Sequence, residues 1–320
     1  MNLIINSKPL ISILMANYNK GAYIEDAIQS VLNQDFDNWE LIIFDDASTD
    51  DSLIKIKKFA DERIKLISNR DNNKGYIGAL KEMISEANGE IVIILDSDDA
   101  LAPNALSEIA KIYQNHPEYD FVYTQCYYCD ERLKPIHLGY SARIPEGNTN
   151  LHNNSVVAMR TFRKTAYLKT TGYCEQMLYA EDVDLTFKIE EIGKLYFLDK
   201  PLYYYRILKG SQTHSFCNEL INRSSTSLAR LNAYKRRIGT NIPNLSKVEI
   251  SEVLFWGIFS SLLVKRLNLV KQFSKELLGI HPYFLIDYKF YSLIFKKIIK
   301  IVRIKFNSIK FFKSYLCFTL

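Results

Sequence analysis

The sequence predicts an α/β fold: a mostly parallel sheet flanked by helices, followed by a helical C-terminal region. Three observations support this prediction. In the first 125 residues, short apolar runs alternate with amphipathic segments, as in β-α repeats that build a sheet covered on both faces. Polar clusters follow several of these runs, where strands would end. From about residue 211 the apolar periodicity becomes helical.

Each element of the first half has its own signal. Strands are predicted at short apolar runs bounded by polar residues, namely 10–15, 40–44, 63–67, 90–95 and a run starting at 121. Helices are predicted where apolar residues recur three and four positions apart, or where a helix-start residue occurs. They are 21–34, 53–59, 78–87 and a helix opened by Pro103.

The second half is predicted to begin with a long connection. Residues 130–160 are polar and rich in Gly, Pro and Asn, which indicates a flexible loop over the ligand site. A helix with acids in its first turn is predicted at 181–192, and two strands at 194–198 and 202–207. We therefore predict a first domain at 1–210 and a helical region at 211–320 that is interrupted near 240–246.

Charge and cysteine usage narrow the functional classes. The net charge is +5, but residues 281–320 alone contain eight Lys or Arg and one Asp, so the rest of the chain lacks a basic surface for nucleic acid. The five cysteines are an odd, scattered set, which predicts reduced thiols in the cytoplasm. No secretory signal and no apolar stretch long enough to span a bilayer is evident in the sequence.

The basic tail, about 285–320, has an amphipathic pattern. Lys296, Lys300 and Arg303 share one helical stripe, while Ile298 and Val302 lie off it. Such a helix can lie on an anionic membrane surface. A helix packed on the body, or a disordered basic tail, is the alternative interpretation.

Clustered acids at predicted strand ends indicate a cation and a nucleotide. Asp96, Asp98 and Asp99 directly follow a buried apolar run, where unpaired carboxylates repel one another, so a hard cation such as Mg²⁺ or Mn²⁺ is expected. Asp45 and Tyr18 follow two other strands, and the carboxyl ends of parallel strands converge on one crevice. Turns and helix caps are the alternative explanation for these acids.

Five motifs occur in order along the first 182 residues: 11–19 (ISILMANYN), 30–34 (SVLNQ), 40–50 (ELIIFDDASTD), 89–99 (GEIVIILDSDD) and 181–182 (ED). In order and spacing this set resembles the inverting family 2 glycosyltransferases. The resemblance covers residues 9 to about 215. It implies a GT-A type fold and transfer of a sugar from a nucleotide diphosphate to an acceptor hydroxyl, with inversion at the anomeric carbon.

The resemblance also implies roles for individual residues. Tyr18 would stack on the nucleobase, most often uracil, and Asp46 would hydrogen-bond it, with Asp45 as a neighbour. Asp96 and Asp98 match the family's D-x-D motif, and Asp98 and Asp99 face ribose and metal in some members. Asp182 matches the acid that deprotonates the acceptor.

Two positions depart from the family pattern. An Arg-Asn pair usual after the third strand is Leu80-Lys81 here, so Lys81 or Lys74 is the candidate for the diphosphate contact. The Tyr-Arg-x-His motif lacks its histidine near residue 206, and His214 is the nearest imidazole for a metal or phosphate.

The resemblance further implies a UDP-sugar donor and a glycan or lipid-linked acceptor, in the synthesis of bacterial surface polysaccharide such as lipopolysaccharide or capsule. Location would be cytoplasmic, peripheral on the inner face of the cytoplasmic membrane. A sugar nucleotidyltransferase, which would release pyrophosphate, and a non-catalytic membrane-associated scaffold that binds nucleotide sugars are the alternatives.

Overall fold

Apolar runs form the strands of one mixed sheet. The computed structural model describes residues 10–69, 73–177, 179–208 and 216–284. Its strands are β1 (Ile11–Asn17), β2 (Trp39–Asp46), β3 (Ile64–Asn69), β4 (Ile91–Ile94), β5 (Ala100–Leu101), β6 (Tyr119–Cys129), β7 (Pro135–Leu138), β8 (Arg160–Arg163) and β9 (Lys194–Arg206).

Helices connect and cover these strands. They are α1 (Ile24–Leu32), α2 (Ser52–Ile56), α3 (Gly75–Glu86), α4 (Ala105–Asn115), α5 (Asn150–Asn153), α6 (Lys164–Leu168), α7 (Glu181–Glu190), α8 (Phe216–Arg237), α9 (Lys247–Leu263) and α10 (Leu267–Ile280). Helix α1 shows how apolar residues at helical spacing produce a buried face. Its buried residues, which lie on one side of the helix, are Ile24, Ala27, Ile28 and Val31.

The sheet has the order β3-β2-β1-β4-β8-β6-β9-β5, with β7 paired to β6. Strands β1 to β4 are parallel to their neighbours within that group, and β6 is parallel to β9. Strand β8 runs antiparallel between β4 and β6. The carboxyl ends of β1, β2, β4 and β6 therefore lie at the edge of the sheet where β8 begins.

The core lies on both faces of the sheet. Alternate residues of β1 belong to different clusters: Ile13 packs in the cluster that contains the apolar face of α1, and Leu14 in the cluster that contains Leu80 of α3. Because successive side chains of a strand point to opposite faces, a strand buried on both sides has to be apolar throughout. The predicted α/β class with a helical C-terminal region is confirmed.

Two local predictions were wrong. Residues 130–160 are not one loop, because β7, α5 and the first residue of β8 lie within them. The two strands predicted near 194–207 form a single strand, β9, whose pairing with β6 shifts register where Leu198 and Pro201 pair with consecutive β6 residues. Such a bulge accommodates a proline and the polar residues before it inside a strand.

The chain divides into two compact units, residues 1–244 and 245–320. In the second unit α9 begins with a capping box, in which Ser246 and Glu249 each hydrogen-bond the other's backbone N–H. Within the described ranges no helix is long and apolar enough to cross a membrane. The predicted boundary at 210/211 and the basic tail at 285–320 lie outside the described residues.

Candidate active site

The ends of β1 and β2 are joined by a buried carboxylate. Asn17 Nδ2 donates to Asp45 Oδ1 at 2.7 Å, and the backbone N–H of Ser48 donates to Asp45 Oδ2 at 3.2 Å. Asp45 is fully buried, so it holds the turn after β2 against the end of β1. The next residue after Asn17 is Tyr18, whose side chain is 51% exposed. Its ring is accessible to a planar ligand at this edge of the sheet.

Asp46 holds the start of α3. Its Oδ1 accepts a hydrogen bond from the backbone N–H of Lys74 at 2.7 Å, and its Oδ2 accepts one from Gly75 at 2.8 Å. Gly75 has a φ of +72°, in the left-handed region that glycine adopts without strain. A carboxylate beside the first backbone N–H groups of a helix also interacts favourably with the helix dipole. Asp46 therefore fixes the segment that leads into α3.

The first turn of α3 reaches the loop after β4. Tyr76 Oη donates to Asp96 Oδ1 at 2.9 Å. Burial raises the pKa of Asp96 to about 6, and the nearby charge of Asp98 acts in the same direction. Two carboxylates that repel each other in this way favour a bound cation between them.

Asp99 has a different environment from the other two acids of this loop. It is 2% exposed, and its oxygens accept hydrogen bonds from Tyr203 Oη and from the backbone N–H of Arg206, both at 2.7 Å. Burial, followed by the charges of Asp96 and Asp98, raises its pKa well above the usual value. Asp99 thus joins the loop to β9.

Two cations hold the backbone and side chain of Asp98. Arg206 Nε donates to the backbone carbonyl of Asp98 at 2.6 Å, and the same guanidinium pairs with Asp26 of α1 at 2.9 Å. Lys20, in the loop after β1, forms an ion pair with the Asp98 carboxylate. The ends of β1 and β4 are therefore linked through a charge pair.

The start of α7 lines a small cleft beside Tyr76 and Arg160. The polar residues lining the cleft are Tyr76, Arg160, Tyr173, Glu181 and Asp182. Asp182 accepts a hydrogen bond from the backbone N–H of Val183 at 2.7 Å and forms an ion pair with Arg160. Burial raises the pKa of Glu181 to about 8, and the charge of Asp182 acts in the same direction. Burial therefore favours the neutral form of Glu181.

The residues of the β4 loop fit a divalent cation. Asp96 and Asp98 are partly exposed and mutually repulsive, and Mg²⁺ commonly takes one or two carboxylates and completes its coordination with water and phosphate oxygens. Over the described ranges, no three His, Cys, Asp or Glu side chains are grouped to hold a metal. Asp99 already accepts two hydrogen bonds from β9, and His214 lies outside the described residues.

The structure brings most of the predicted site residues to one edge of the sheet. Tyr18, Asp45, Asp46, Asp96 and Asp98 follow β1, β2 and β4 there, and the charge of Asp182 acts on Asp96. Lys81 is paired instead with the exposed Glu175 at 2.7 Å.

Sequence reasoning missed four side chains that organise this edge: Lys20, Tyr76, Arg160 and Arg206. Lys20 and Arg206 flank recognised motifs, which was a usable signal. Tyr76 and Arg160 had none, because Tyr76 opens a helix of weak apolar periodicity and Arg160 lies in a segment with the composition of a loop.

The comparisons with known proteins agree with this architecture. The family model described as glycosyl transferase family 2 matches residues 12–177. An uncharacterized glycosyltransferase of Haemophilus influenzae is 28% identical over 264 residues, 77% of this chain and 80% of the relative. The Escherichia coli enzyme WfgD, a UDP-Glc:α-D-GlcNAc-diphosphoundecaprenol β-1,3-glucosyltransferase, is 40% identical over 108 residues, 33% of this chain and 42% of that enzyme.

Solved structures share the fold. Staphylococcus aureus TarS 1–349 in complex with UDP-GlcNAc aligns with a TM-score of 0.61 and 18% identity, covering 79% of this chain and 72% of TarS. The mannosyltransferase PcManGT of Pyrobaculum calidifontis, in complex with GDP-Man and Mn²⁺, aligns with a TM-score of 0.53 and 15% identity, covering 92% of this chain and 81% of PcManGT. Together with the family match, which spans more than half of the sequence, they identify the chain as a member of glycosyl transferase family 2 with a GT-A type fold.

Proposed function

We propose that this glycosyltransferase moves a sugar from a UDP-sugar to a hydroxyl group of a glycan or lipid-linked acceptor, with inversion and with a divalent cation. The observation that carries the proposal is the meeting of two sets of acids at one edge of the sheet. Asp46 ends β2, and Asp96 and Asp98 follow β4. Asp182 of α7 lines a cleft together with Tyr76, whose hydroxyl donates a hydrogen bond to Asp96. The UDP-Glc-dependent activity of WfgD and the UDP-GlcNAc complex of TarS support a UDP-sugar donor.

Donor binding is proposed to use the β1 and β2 ends. Tyr18 offers an exposed ring for stacking on uracil, a contact that excludes water from one face of the base. Asp46 is held in place by two backbone N–H groups and keeps further lone pairs for a base N–H, since a carboxylate has about four acceptor sites. Asp45 fixes the turn beneath these two residues.

Asp96 and Asp98 are proposed to hold Mg²⁺ or Mn²⁺, with Asp99 fixing their loop to β9 and His214 as a further candidate ligand. When bound, the cation neutralises the charge that develops on the leaving diphosphate. Lys20 stands beside Asp98, and Lys81 or Lys74 remains a candidate for the diphosphate itself.

Asp182 is proposed as the general base. The acceptor oxygen forms a bond to the anomeric carbon while the bond from that carbon to the diphosphate oxygen breaks, and the hydroxyl proton passes to Asp182. Attack opposite the leaving group, with no covalent intermediate, inverts the anomeric configuration. Proton removal by a positioned carboxylate typically contributes about 10²- to 10⁴-fold in rate.

A biological setting follows from the same reasoning. WfgD acts on a diphosphoundecaprenol-linked sugar, and such acceptors are held in membranes. We propose a role in bacterial surface polysaccharide synthesis, such as that of lipopolysaccharide, at the inner face of the cytoplasmic membrane. The basic tail at 285–320 would supply the attraction to anionic lipid.

The test combines a donor screen with product analysis. Thermal shift with UDP-Glc, UDP-Gal, UDP-GlcNAc and UDP-GalNAc selects the donor, and its labelled form is then incubated with Mn²⁺ and candidate acceptors. We expect release of UDP and a β-linked product from an α-linked donor. D182N should bind UDP normally yet lose transfer, while D199N, at an exposed position of β9, should retain it. Release of pyrophosphate, or full transfer by D182N, would overturn the proposal.

A further inference from the structure

Arg160 places a positive charge inside the candidate active site. It is the first residue of β8 and pairs with Tyr123 of β6, and its side chain, 29% exposed, lines the cleft together with Glu181 and Asp182. The charges of Asp182, Tyr76, Asp96 and Glu181 all act on it. Neither the motifs nor the family match at 12–177 assigns it a role.

The two acids that begin α7 are not equivalent. Arg160 is ion-paired with Asp182, whereas Glu181 has its pKa raised to about 8 by burial and by the charge of Asp182. Two adjacent carboxylates in a poorly solvated cleft cannot both ionise cheaply. The guanidinium of Arg160 forms its ion pair with Asp182.

We propose that Arg160 is a positioning residue that holds the Asp182 carboxylate oriented toward the acceptor hydroxyl. The inference rests on the proposed role of Asp182 as the general base. One oxygen of Asp182 accepts the Val183 N–H and the other contacts Arg160, so both torsions of this short side chain are fixed. A base has to lie within about 2.6–3.2 Å of the proton it takes. A displacement of about 1 Å can cost on the order of 10²-fold in rate.

Arginine suits this role better than lysine. Its planar fork offers several donors in a fixed geometry, whereas lysine supplies a compact charge on a flexible stem. Lysine at this position would therefore keep the charge but lose the orientation.

The experiment compares R160M and R160K with the wild type and with R163M. Arg163 lies on the same strand but pairs with Glu90 and hydrogen-bonds the carbonyls of Tyr113 and Tyr119, so R163M controls for the loss of an ion-paired arginine from β8. For each folded variant, kcat, the acceptor KM and the UDP affinity by calorimetry are measured.

We expect R160M to lower kcat by about 10²-fold with UDP affinity unchanged. The acceptor KM of R160M should stay close to the wild-type value, because Arg160 acts through Asp182. R160K should also lower kcat at unchanged UDP affinity, because it keeps the charge but loses the fixed geometry. R163M should keep the wild-type kcat. In a D182N background, R160M should cause little further loss, because the group it positions has been removed.

The outcomes separate the two proposals. Full transfer by D182N overturns the general-base role and with it this inference. If D182N is inactive but R160M keeps the wild-type kcat, the positioning role alone is wrong. Loss of UDP affinity in R160M would instead make Arg160 a donor contact and would also overturn the positioning role. Should R160M fail to fold, the kcat and UDP affinity of R160K decide the question.

Discussion

The substitution E181Q tests the electrostatics of the cleft without altering the proposed base. The pKa of Glu181 is raised from 4.5 to about 8, so the folded protein holds this proton more tightly than the unfolded chain between those values. The contribution of Glu181 to stability is therefore most favourable at low pH and is lost as the pH rises through that window. With 1.36 kcal/mol per pKa unit, the loss between pH 5 and pH 8 is up to about 3–4 kcal/mol. Glutamine is neutral and of similar shape, so E181Q removes this pH dependence of stability.

The measurement is urea unfolding at pH 5, 6, 7 and 8. The chain has two tryptophans, one in each compact unit, so the W256F background leaves the buried Trp39 to report on the first unit. E181Q should show a flatter dependence of the unfolding free energy on pH than its parent and should be the more stable of the two at pH 8. E62Q, at an exposed position, should show the same pH dependence of the unfolding free energy as the parent. Parallel curves for E181Q and its parent would refute the reasoning.

Three further outcomes are expected. D46A should lower the unfolding free energy by about 1–2 kcal/mol, because two backbone N–H groups at the start of α3 lose their acceptor, and calorimetry should show weaker UDP binding; an unchanged UDP affinity would argue against a nucleobase contact. D99A should lower the unfolding free energy by about 1–3 kcal/mol, since Asp99 is buried and accepts two hydrogen bonds. D98A should mainly abolish the Mn²⁺ dependence of UDP binding; if the wild type binds UDP equally well with and without Mn²⁺, this prediction is wrong. Deletion of 285–320 should move the protein from membrane to soluble fractions, and equal partitioning of both forms would exclude an anchoring tail.

The strand ends of the first half were predictable from sequence. Strands β1, β2 and β4 are mainly apolar because both faces are buried, so the polar residues at their carboxyl ends mark the ligand-binding edge. The apolar-to-polar transition alone is enough to locate Asp45, Asp46 and Asp96. Their hydrogen-bond partners were not predictable, because Asp46 meets Lys74 and Gly75 only once α3 has packed against the sheet.

The second half was harder because its pairings are non-local. Strand β8 pairs with β4, about 70 residues earlier in the chain, and with β6, and it has too few residues for a clear alternation. Strand β9 carries Pro201 and polar neighbours within its span, which is typical of a break, although the register shift against β6 accommodates them. Arg160 could therefore not be recognised from sequence, because it lies in a segment whose composition is typical of a loop.

The antiparallel direction of β8 determines how rigidly Arg160 is held. A strand that runs against its neighbours begins where they end, so Arg160 enters the crevice from a hydrogen-bonded ladder rather than from a flexible connection. The segment between β7 and β8 can take up insertions while Arg160 stays anchored in register with Tyr123. Changes in that segment therefore leave the position of this charge intact.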